Sequence, residues 1–326
     1  MVISMKAVIL LSFTLLYTMY SRASDNLCSP RAMTMVNVNS LLSSHSIQQS
    51  FVRTLAQCVH RCLSNILRCT TVAYYKETGS CEMYGVFLDH QVEKILFPSN
   101  VKLYGAVISR DCTEVKQMLS KQSGVYDIKP CPTCSIYKVY CDMNSEDNGW
   151  TVLQRRRDNS VDFYRIWEEY ADGFGDVCNE FWIGNNFIHT LTSSAVYELR
   201  IDLIDYEDNH YNATYDSFRI ESKSDMYRLR VGNYTASQSN IDDSLKSQNN
   251  ACFSTRDMDN DNKGGGYNCA TVYSGAWWFV ECFESHLNGR FSPTVPNQSG
   301  NEGIVWRNGE NFLQSRFSEM KIQRIG

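Results

Sequence analysis

Several kinds of segment are missing from this 326-residue sequence. Its 6 prolines and 18 glycines follow no Gly-X-Y period, and no heptad repeat is present, which excludes a collagen triple helix and a coiled coil as means of assembly. An apolar run of about 14 residues lies at positions 7–20, short of the roughly 20 that span a membrane, and no later run is comparable. We therefore expect no membrane span in the mature chain, with an uncleaved N-terminal anchor as the alternative.

Basic residues are also in deficit. The sequence has 31 Lys and Arg against 36 Asp and Glu, a formal charge of −5, which argues against nucleic acid as a partner. The 6 histidines lie in no motif that joins a nucleophile to an acid or base, so the composition favours a binding protein over an enzyme. The hydrophobic content of 43% can supply a core for one large domain and a smaller one.

The first residues have the composition of a targeting segment. One lysine, the apolar run and small residues up to Ala23 predict a signal peptide at residues 1–23. All 13 cysteines follow it, as expected in an oxidising compartment, and the sequons at Asn212, Asn233 and Asn297 are candidate glycosylation sites. We expect a secreted, extracellular glycoprotein. The odd cysteine count leaves at least one cysteine without a partner in its own chain, so either a free thiol exists or a disulfide bridges two chains of a homo-oligomer.

The first cysteines follow a helical period. Phe51, Leu55, Cys58 and Cys62 recur at helical spacing, which places both cysteines on one face. Ser50 precedes them as a plausible N-cap. The pattern predicts a helix that begins just after Ser50.

A hairpin is predicted after this helix. The segment CTTVAYYKETGSCEMY indicates two strands joined by a turn at residues 77–80, where Gly79 supplies the positive φ that such turns need. The cysteine frame and the aromatic strand resemble the PAN/apple domain over residues 26–106. The resemblance implies the disulfides Cys58–Cys81 and Cys62–Cys69. Cys28 then has no evident mate and is our candidate for an interchain bridge.

The second half carries longer motifs, and no Gly/Ser-rich or Pro-rich linker separates it from the first. In chain order these are RDCTEVKQMLSKQSGVYDI, YKVYCDMNSEDNGWTVLQRR, VDFYRIWEEYADGFG, EFWIGNNFIHTLT, YELRIDL, GAWWFVEC, LNGRF and FSEMKI. Their order and spacing resemble a fibrinogen C-terminal globular domain over residues 111–326. The resemblance implies an α+β fold with a central mixed sheet, helices and a loop-rich subdomain held around Ca²⁺.

The residue patterns agree with such a fold. WTVLQRR and AVYELRIDL alternate apolar and polar side chains over much of their length, as half-buried strands do, and VDFYRIWEEYADGFG predicts an amphipathic helix that stops at Gly173. The arginines at 155–157 are expected on the solvent side of a strand end, with an anion site as the alternative. We expect these aromatic residues in the core: Trp150, Phe163, Trp167 and Trp182.

The stretch RDMDNDNKGGGYNC, residues 256–269, places three aspartates at alternate positions before three glycines. Carboxylates in such a pattern suit Ca²⁺, which takes about six to eight oxygen ligands. An EF-hand is excluded because its glycine and glutamate positions are Asn262 and Asn268. Glycines would instead turn backbone carbonyls toward an ion.

The fibrinogen resemblance assigns ligands within this loop. It implies that Asp259 and Asp261 are the side-chain ligands of Ca²⁺ and that the backbone carbonyls of Lys263 and Gly265, or of their neighbours, complete the site. The alternative is a solvated acidic turn. Ca²⁺ is the cofactor that we expect.

The resemblance also implies a ligand pocket beside the Ca²⁺ loop. In lectins of the family it takes an acetyl group between aromatic walls and backbone donors, here Tyr273 and a cis bond at Glu281-Cys282. This chain has Phe283 where those lectins have histidine, and Phe312 lies one place from another expected aromatic. His286 is a candidate substitute for the missing imidazole, with a core position as the alternative.

The remaining cysteines are assigned by context. The resemblance implies the disulfides Cys112–Cys141 and Cys269–Cys282. CPTC, residues 131–134, is interpreted as a structural disulfide because a strand rather than a helix follows it. Cys178 and Cys252 remain, and a bond between them is one pairing that the sequence leaves open.

Two classes of function fit these residues. The first is a secreted, Ca²⁺-dependent recognition protein of innate-immune type that binds glycans or acetylated ligands through its C-terminal domain. The alternative is an adhesion, matrix or signalling ligand that binds a protein receptor. In either class, the departures around Phe283 predict weak affinity for N-acetylglucosamine.

Overall fold

The computed structural model describes residues 35–37, 48–51, 54, 57–58, 71–75, 78–84, 101–106, 109–118, 120–144, 148–294 and 302–325. The predicted signal peptide, Cys28, the predicted Cys62–Cys69 disulfide and Asn297 lie outside these residues. Within the described ranges, no helix is long and apolar enough to cross a membrane.

An antiparallel sheet of five strands precedes residue 107. Its strands are β1 Met35–Asn37, β2 Gln48–Phe51, β3 Thr71–Tyr75, β4 Ser80–Tyr84 and β5 Val101–Ala106, in the spatial order β1-β5-β3-β4-β2. The predicted hairpin is confirmed, since β3 pairs with β4 and Gly79 has a φ of 66° in the turn between them. The disulfide Cys58–Cys81 is formed and is buried.

The predicted start of the first helix is wrong. Ser50 and Phe51 belong to β2, where Ser50 lies opposite Cys81 of β4. Thr54 takes the capping role, because its hydroxyl accepts a hydrogen bond from the Gln57 N–H (3.2 Å) and its carbonyl accepts one from the Cys58 N–H (3.2 Å). The backbone N–H and C=O groups of residues 48–51 form their hydrogen bonds with β4, so this segment is a strand. The helical spacing of Phe51 could not reveal this pairing.

Residues 109–325 are organised around a ten-stranded sheet. Its strands are β6 Gly124–Ile128, β7 Tyr137–Asp142, β8 Trp150–Arg156, β9 Phe174–Gly175, β10 Phe181–Trp182, β11 Tyr197–Asp205, β12 His210–Tyr215, β15 Ser285–His286, β16 Ile304–Asn308 and β17 Asn311–Arg324. A separate pair contains β13 Phe218–Ile220 and β14 Leu229–Val231. The α-helices are α1 Cys112–Met118, α2 Trp167–Asp172, α3 Asn185–Thr192 and α4 Cys269–Val272.

The main path through this sheet is β12-β11-β17-β8-β10-β9, with β7 also paired to β8 and β16 to β17. The described strand pairs are antiparallel, and a parallel bridge joins Ser109 to Ile128. Burial alternates along β11, as its sequence predicts, and Leu199, Ile201 and Leu203 enter the core. This core also contains Phe187, Ile188 and Leu191 of α3.

The aromatic residues expected in the core are buried, but the helix around Trp167 is shorter than predicted. Trp150, Phe163, Trp167 and Trp182 are all buried. Helix α2 begins at Trp167, so Phe163 reaches the core from the preceding loop, and the helix ends before Gly173 as expected. Only six residues of the segment form the helix, although the helical spacing of its apolar residues extends further.

The expected exposure of the three arginines at 155–157 is wrong for two of them. Arg155 is 8% exposed and its Nε lies 2.8 Å from Glu319. Arg156 is 1% exposed, donates to the Gly289 carbonyl (2.7 Å) and lies 3.9 Å above the Phe163 ring. The last residues of β8 pair with β10 and β17, which keeps them inside the domain. All seven residues of β8 are buried, so the half-buried alternation expected for WTVLQRR is wrong.

Three disulfides follow residue 110 in the described chain: Cys112–Cys141, Cys131–Cys134 and Cys269–Cys282. No disulfide joins Cys178 to Cys252, a pairing that the sequence had left open. Cys178 lies in the turn between β9 and β10. Cys252 lies between Ala251 and Phe253, whose backbone groups bond to Leu229 and Met226. Different elements therefore fix the two backbones.

Candidate functional site

The first aspartate of the acidic loop is a structural anchor. Asp257 Oδ1 accepts hydrogen bonds from the Trp167 N–H (2.9 Å) and from the Thr255 hydroxyl (2.7 Å). The Trp167 N–H is one of the donors that the start of α2 leaves unpaired within the helix. Asp257 therefore connects the loop to α2. Asp259 and Asp261 do not take part in this connection and remain candidates for binding a cation.

Asp259 and Asp261 lie together at the turn of the loop. The Asp261 N–H donates to Asp259 Oδ1 (3.3 Å), while the two Asp261 carboxylate oxygens accept from the Lys263 N–H (2.8 Å) and the Cys269 N–H (2.8 Å). Desolvation and the adjacent Asp261 carboxylate raise the pKa of Asp259 above its usual value. Two neighbouring carboxylates of this kind form a concentrated negative charge that a cation can neutralise.

The three glycines give the loop its shape. Gly264, Gly265 and Gly266 have φ values of 67°, 68° and 79°, and a Cβ on any of them would meet no atom within 4 Å. Backbone conformation rather than crowding therefore requires glycine here. The Gly264 carbonyl accepts from the Tyr267 N–H (3.2 Å), whereas no backbone hydrogen bond from a described residue ends on the Lys263 or Gly265 carbonyl.

The donor set of this loop fits a hard cation. It offers two carboxylates and two carbonyls without backbone partners among the described residues, which are the oxygen ligands that Ca²⁺ prefers. No cluster of three or more His, Cys, Asp or Glu side chains suited to a metal occurs in the described ranges. A cation held here would thus depend on backbone oxygens or water for its remaining ligands.

Short links join the acidic loop to the segment around residue 282. The disulfide Cys269–Cys282 connects them covalently, and the Asn262 N–H donates to the Val280 carbonyl (3.0 Å). The peptide bond Glu281-Cys282 is cis, as the resemblance implied, and the Glu281 side chain is exposed. Asn268 caps α4, because its Oδ1 accepts from the Thr271 N–H (3.0 Å). The shape of the loop is thereby coupled to the position of residues 280–282.

Phe283 is the centre of an aromatic cluster beside these links. Its ring centroid lies 4.7 Å from that of Tyr273, 5.8 Å from that of Phe312 and 5.3 Å from that of His286. The structure therefore brings together the four ring-bearing residues that the sequence indicated for the pocket. The Phe279 ring, 6.0 Å from Phe283, was not predicted as a member.

The cluster has an outer and an inner layer. Tyr273, Phe283 and Phe312 are partly exposed, whereas Phe279 and His286 are each 1% exposed. Burial and the charge of Arg156 lower the pKa of His286 to about 3, so its ring is neutral. His286 therefore occupies the core position that was its alternative interpretation, in contact with the Phe279 ring at 5.0 Å.

Exposed apolar side chains extend the outer layer. Tyr267 is 38% exposed and Val272 is 49% exposed, and both flank the disulfide-linked Cys269. Burial and a hydrogen bond with Tyr267 raise the pKa of the Tyr273 hydroxyl. Tyr267 is thus a further member of the site. Its only signal in the sequence was its place between the glycines and Cys269.

Two of the three predicted glycosylation sites are described. Asn212 lies in β12, where its side-chain amide donates to the Gln238 carbonyl. Asn233 is exposed in a loop, and its amide donates to Asp216 Oδ2 (2.9 Å). In the folded chain Asn233 is therefore the more accessible of the two side chains.

The fold agrees with comparisons to known proteins. Residues 108–325 match the family described as "Fibrinogen beta and gamma chains, C-terminal globular domain", and residues 28–94 match the PAN domain. Because the first match covers more than half of the chain, the protein belongs to the fibrinogen C-terminal domain family.

Individual relatives support this assignment. Ryncolin-4 of Cerberus rynchops is 42% identical over 215 residues, which are 66% of this chain and 61% of the relative's length. The fibrinogen-like globe domain of human ANGPTL2 is 34% identical, with a TM-score of 0.61, and the match covers 66% of this chain and 99% of that domain. Lamprey fibrin D-dimer, solved with the peptide Gly-His-Arg-Pro-amide, is 33% identical, with a TM-score of 0.60 over 67% of this chain and 74% of its own.

Proposed function

We propose that this chain is a secreted recognition protein without enzymatic activity, whose C-terminal domain binds extracellular ligands at the aromatic cluster around Phe283. The supporting observation is the meeting of Tyr273, Phe283 and Phe312, all partly exposed, beside an acidic loop that the Cys269–Cys282 disulfide ties to them. The proposed organisation is a signal peptide at 1–23, a PAN/apple-like domain at 26–106 and a fibrinogen-like domain at 111–326.

Ca²⁺ is the proposed structural cofactor of this site. Asp259, Asp261 and the carbonyls of Lys263 and Gly265 would hold it, and the ion would supply the positive charge that fixes the loop. Two hydrogen bonds within the chain connect the acidic loop to the residues of the ligand site. Asn262 positions Val280 through its N–H, and Asn268 fixes α4, the helix that ends next to Tyr273.

Glycans or acetylated surface groups are the proposed ligands. The rings of Tyr273 and Phe283 stand at 82° to each other and offer two apolar faces for a methyl group. Backbone N–H groups of the segment 281–283, which lies beside these rings, are the proposed donors to the carbonyl oxygen of an acetyl group. Since Phe283 has no polar atom for a sugar hydroxyl, the affinity of one site for N-acetylglucosamine should be weaker than about 1 mM, and useful binding would need multivalency.

An acetylated resin tests this proposal with the full-length secreted chain. We expect Ca²⁺-dependent retention that EDTA reverses and that Phe283→Ala abolishes. Asp259→Asn combined with Asp261→Asn should lose both retention and the rise in Tm on adding Ca²⁺, because an ion that binds the folded state stabilises it. Asp257→Asn is the matched control and should keep the Ca²⁺ response. Equal retention with and without Ca²⁺ would contradict the proposed cofactor, and retention by Phe283→Ala would contradict the proposed site.

A protein or peptide ligand at the same cluster is the second candidate. The relative from lamprey fibrin is complexed with a peptide, and the apolar Phe283 suits an apolar side chain better than a sugar hydroxyl. In that case the chain would bind cells or matrix through a protein receptor. Binding that survives enzymatic deglycosylation of the target surface but is lost in Phe283→Ala would favour the peptide; loss on deglycosylation would favour the glycan.

Assembly is proposed to be covalent. With 13 cysteines in the sequence, a disulfide-linked homo-oligomer through Cys28 accounts for the odd number. Non-reducing electrophoresis should show a dimer that Cys28→Ser converts to monomer. A wild-type chain that runs as a monomer without reductant would refute the bridge.

A further inference from the structure

The Cys131–Cys134 disulfide is more accessible than the other described disulfides. Both of its cysteines are partly exposed. The other disulfide-bonded cysteines of the described residues are buried: Cys58, Cys81, Cys112, Cys141 and Cys269 at 0% exposure and Cys282 at 8%. Thiol–disulfide exchange requires access of a thiolate to a sulfur atom. Among the disulfides of the described residues, exposure therefore distinguishes this bond as the one that a thiol in solution can reach while the chain is folded.

Backbone hydrogen bonds also stabilise the hairpin that contains this disulfide. The Cys134 N–H donates to the Cys131 carbonyl (3.1 Å), which closes the turn without the sulfurs. Strands β6 and β7 stay in register from Gly124 opposite Cys141 to Ile128 opposite Tyr137. The sequence separation of 3 closes a very small ring, and small rings restrict the unfolded chain least. Opening the bond should therefore leave the hairpin folded.

Thr133 makes the two sulfurs chemically unequal. Its Oγ1 lies 3.4 Å from Cys131 Sγ, and because a disulfide sulfur carries no hydrogen, the hydroxyl is the donor. A donor at this place stabilises negative charge on Cys131 Sγ more than on Cys134 Sγ. Cys131 is thus the better leaving group when the bond is attacked.

We propose that Cys131–Cys134 is a thiol–disulfide exchange site that accepts an extracellular thiolate at Cys134. The thiolate attacks Cys134 Sγ and forms a new S–S bond, the Cys131–Cys134 bond breaks, and its electron pair leaves on Cys131 Sγ. That thiolate accepts a hydrogen bond from Thr133 and is then protonated by water. A second thiolate can attack the mixed disulfide and release the symmetric disulfide of the thiol, which leaves Cys131 and Cys134 reduced.

Residue-resolved alkylation of the full-length chain tests the site. The chain is exposed to rising glutathione, quenched with acid, alkylated and analysed by peptide mass spectrometry. At half-labelling of Cys131 and Cys134 we expect at least about tenfold less label on Cys112, Cys141, Cys269 and Cys282. Simultaneous labelling of all six would overturn the proposal, and so would labelling of the buried pairs first.

Two variants test the direction of attack. Thr133→Val keeps the shape of the side chain, removes the donor and should slow formation of the mixed disulfide by about threefold, whereas Thr133→Ser should keep the wild-type rate. The early glutathione adduct should map to Cys134; an adduct mainly on Cys131, or an unchanged rate in Thr133→Val, would refute the assigned roles. Melting of wild-type protein and of Cys131→Ser/Cys134→Ser should give closely similar Tm values, and a large loss would show that the bond is needed for folding instead.

The thiol can come from a small molecule or from a second copy of this chain. Cross-linked peptides that contain Cys134 and a cysteine of another copy, found without added glutathione, would identify the second copy as the source. Adducts that form only with added glutathione would identify the small molecule. Both results support exchange at Cys134, and the absence of any adduct at either cysteine overturns it.

Discussion

The central sheet and the loop-rich region around the candidate site are stabilised in different ways. In the sheet, β11 pairs with β12 on one side and β17 on the other, so backbone hydrogen bonds place each residue whatever its side chain. Between residues 245 and 294, the described chain has only the short α4, a 3₁₀ turn and the two-residue β15 as regular elements. In this region, hydrogen bonds from side chains to the backbone hold much of the chain in place.

Gln248 shows how the loop region is held. It is 0% exposed; its Nε2 donates to the carbonyls of Trp278 (3.0 Å) and Ser285 (3.1 Å), and its Oε1 accepts from the Ser285 N–H (3.1 Å). Asn260 acts similarly and donates to the Phe253 carbonyl (2.8 Å). The comparison teaches that losing a side chain from the sheet costs stability, whereas losing one from the loops also displaces the site.

The largest expected effect is a cavity in the sheet. Ile201 is fully buried in β11, so Ile201→Ala should lower the free energy of unfolding by about 4 kcal/mol. Chemical denaturation measures this change. The fraction that remains folded should keep wild-type ligand affinity, because strand pairing preserves the geometry. Val196→Ala, at a side chain that is 56% exposed, is the control and should change stability by less than about 0.5 kcal/mol. A loss of affinity in folded Ile201→Ala would break the comparison.

A smaller loss of stability with a loss of binding is expected for Gln248→Leu. The change leaves the Ser285 N–H and two buried carbonyls without their partner, at a cost of about 3 kcal/mol. Trp278 and Ser285 lie on either side of the segment that carries Phe283, so ligand affinity should fall as well. Denaturation and ligand titration of the same samples measure both effects. Wild-type affinity in this variant would show that Gln248 only stabilises the fold.

The ion cluster of the sheet predicts acid sensitivity. Lys321 Nζ lies 2.8 Å from Asp142 and 2.7 Å from Asp202. Burial opposes the ionisation of Asp142, but Lys321 outweighs it, and the pKa of Asp142 is lowered. A carboxyl with a lowered folded pKa stabilises the protein above its unfolded pKa, and this stabilisation is lost as the pH falls through the folded pKa.

Asp142→Asn should therefore reduce the free energy of unfolding by about 1.5 kcal/mol at pH 7 and by almost nothing near pH 2. Denaturation at several pH values measures the difference. Asp127→Asn is the control, because its partner Lys138 is 58% exposed and the pair should contribute less than about 0.5 kcal/mol. A difference for Asp142→Asn that stays constant down to pH 2 would rule out the ion pair as its cause.

The smallest expected effect concerns the anchor of the acidic loop. Asp257→Ala removes the acceptor for the Trp167 N–H and should cost about 1 kcal/mol, as loss of a helix cap does. Calorimetry should nevertheless find Ca²⁺ affinity within about threefold of wild type, since Asp257 lies outside the proposed ligand set. Loss of Ca²⁺ binding as complete as in Asp259→Asn would place Asp257 among the ligands.

Features carried by neighbouring residues could be predicted from the sequence. The hairpin at Gly79, the burial of Trp167 and the alternation of β11 depend on local periodicity and turn chemistry, and the structure confirms them. The clustering of rings around Phe283 could be predicted from the resemblance to the fibrinogen family, because the sequence motifs occur here in the same order as in that family. Phe279 and Tyr267 were missed because nothing in their local sequence distinguishes a pocket residue from an ordinary core or loop residue.

The amino-acid sequence by itself determined that AVYELRIDL and the hairpin around Gly79 form strands, which cysteines have family partners and where negative charge concentrates. Tertiary structure decided what lies opposite each segment. Pairing with β4 made Ser50 part of a strand, and pairing with β10 and β17 buried the arginine-rich end of β8. It also separated the roles of Asp257 and Asp261, because the donor that engages Asp257 belongs to Trp167, 90 residues earlier. The periodicity of apolar residues in the sequence shows which residues share one face of a helix or strand. Burial and hydrogen-bond partners depend on residues distant in the sequence that packing brings together.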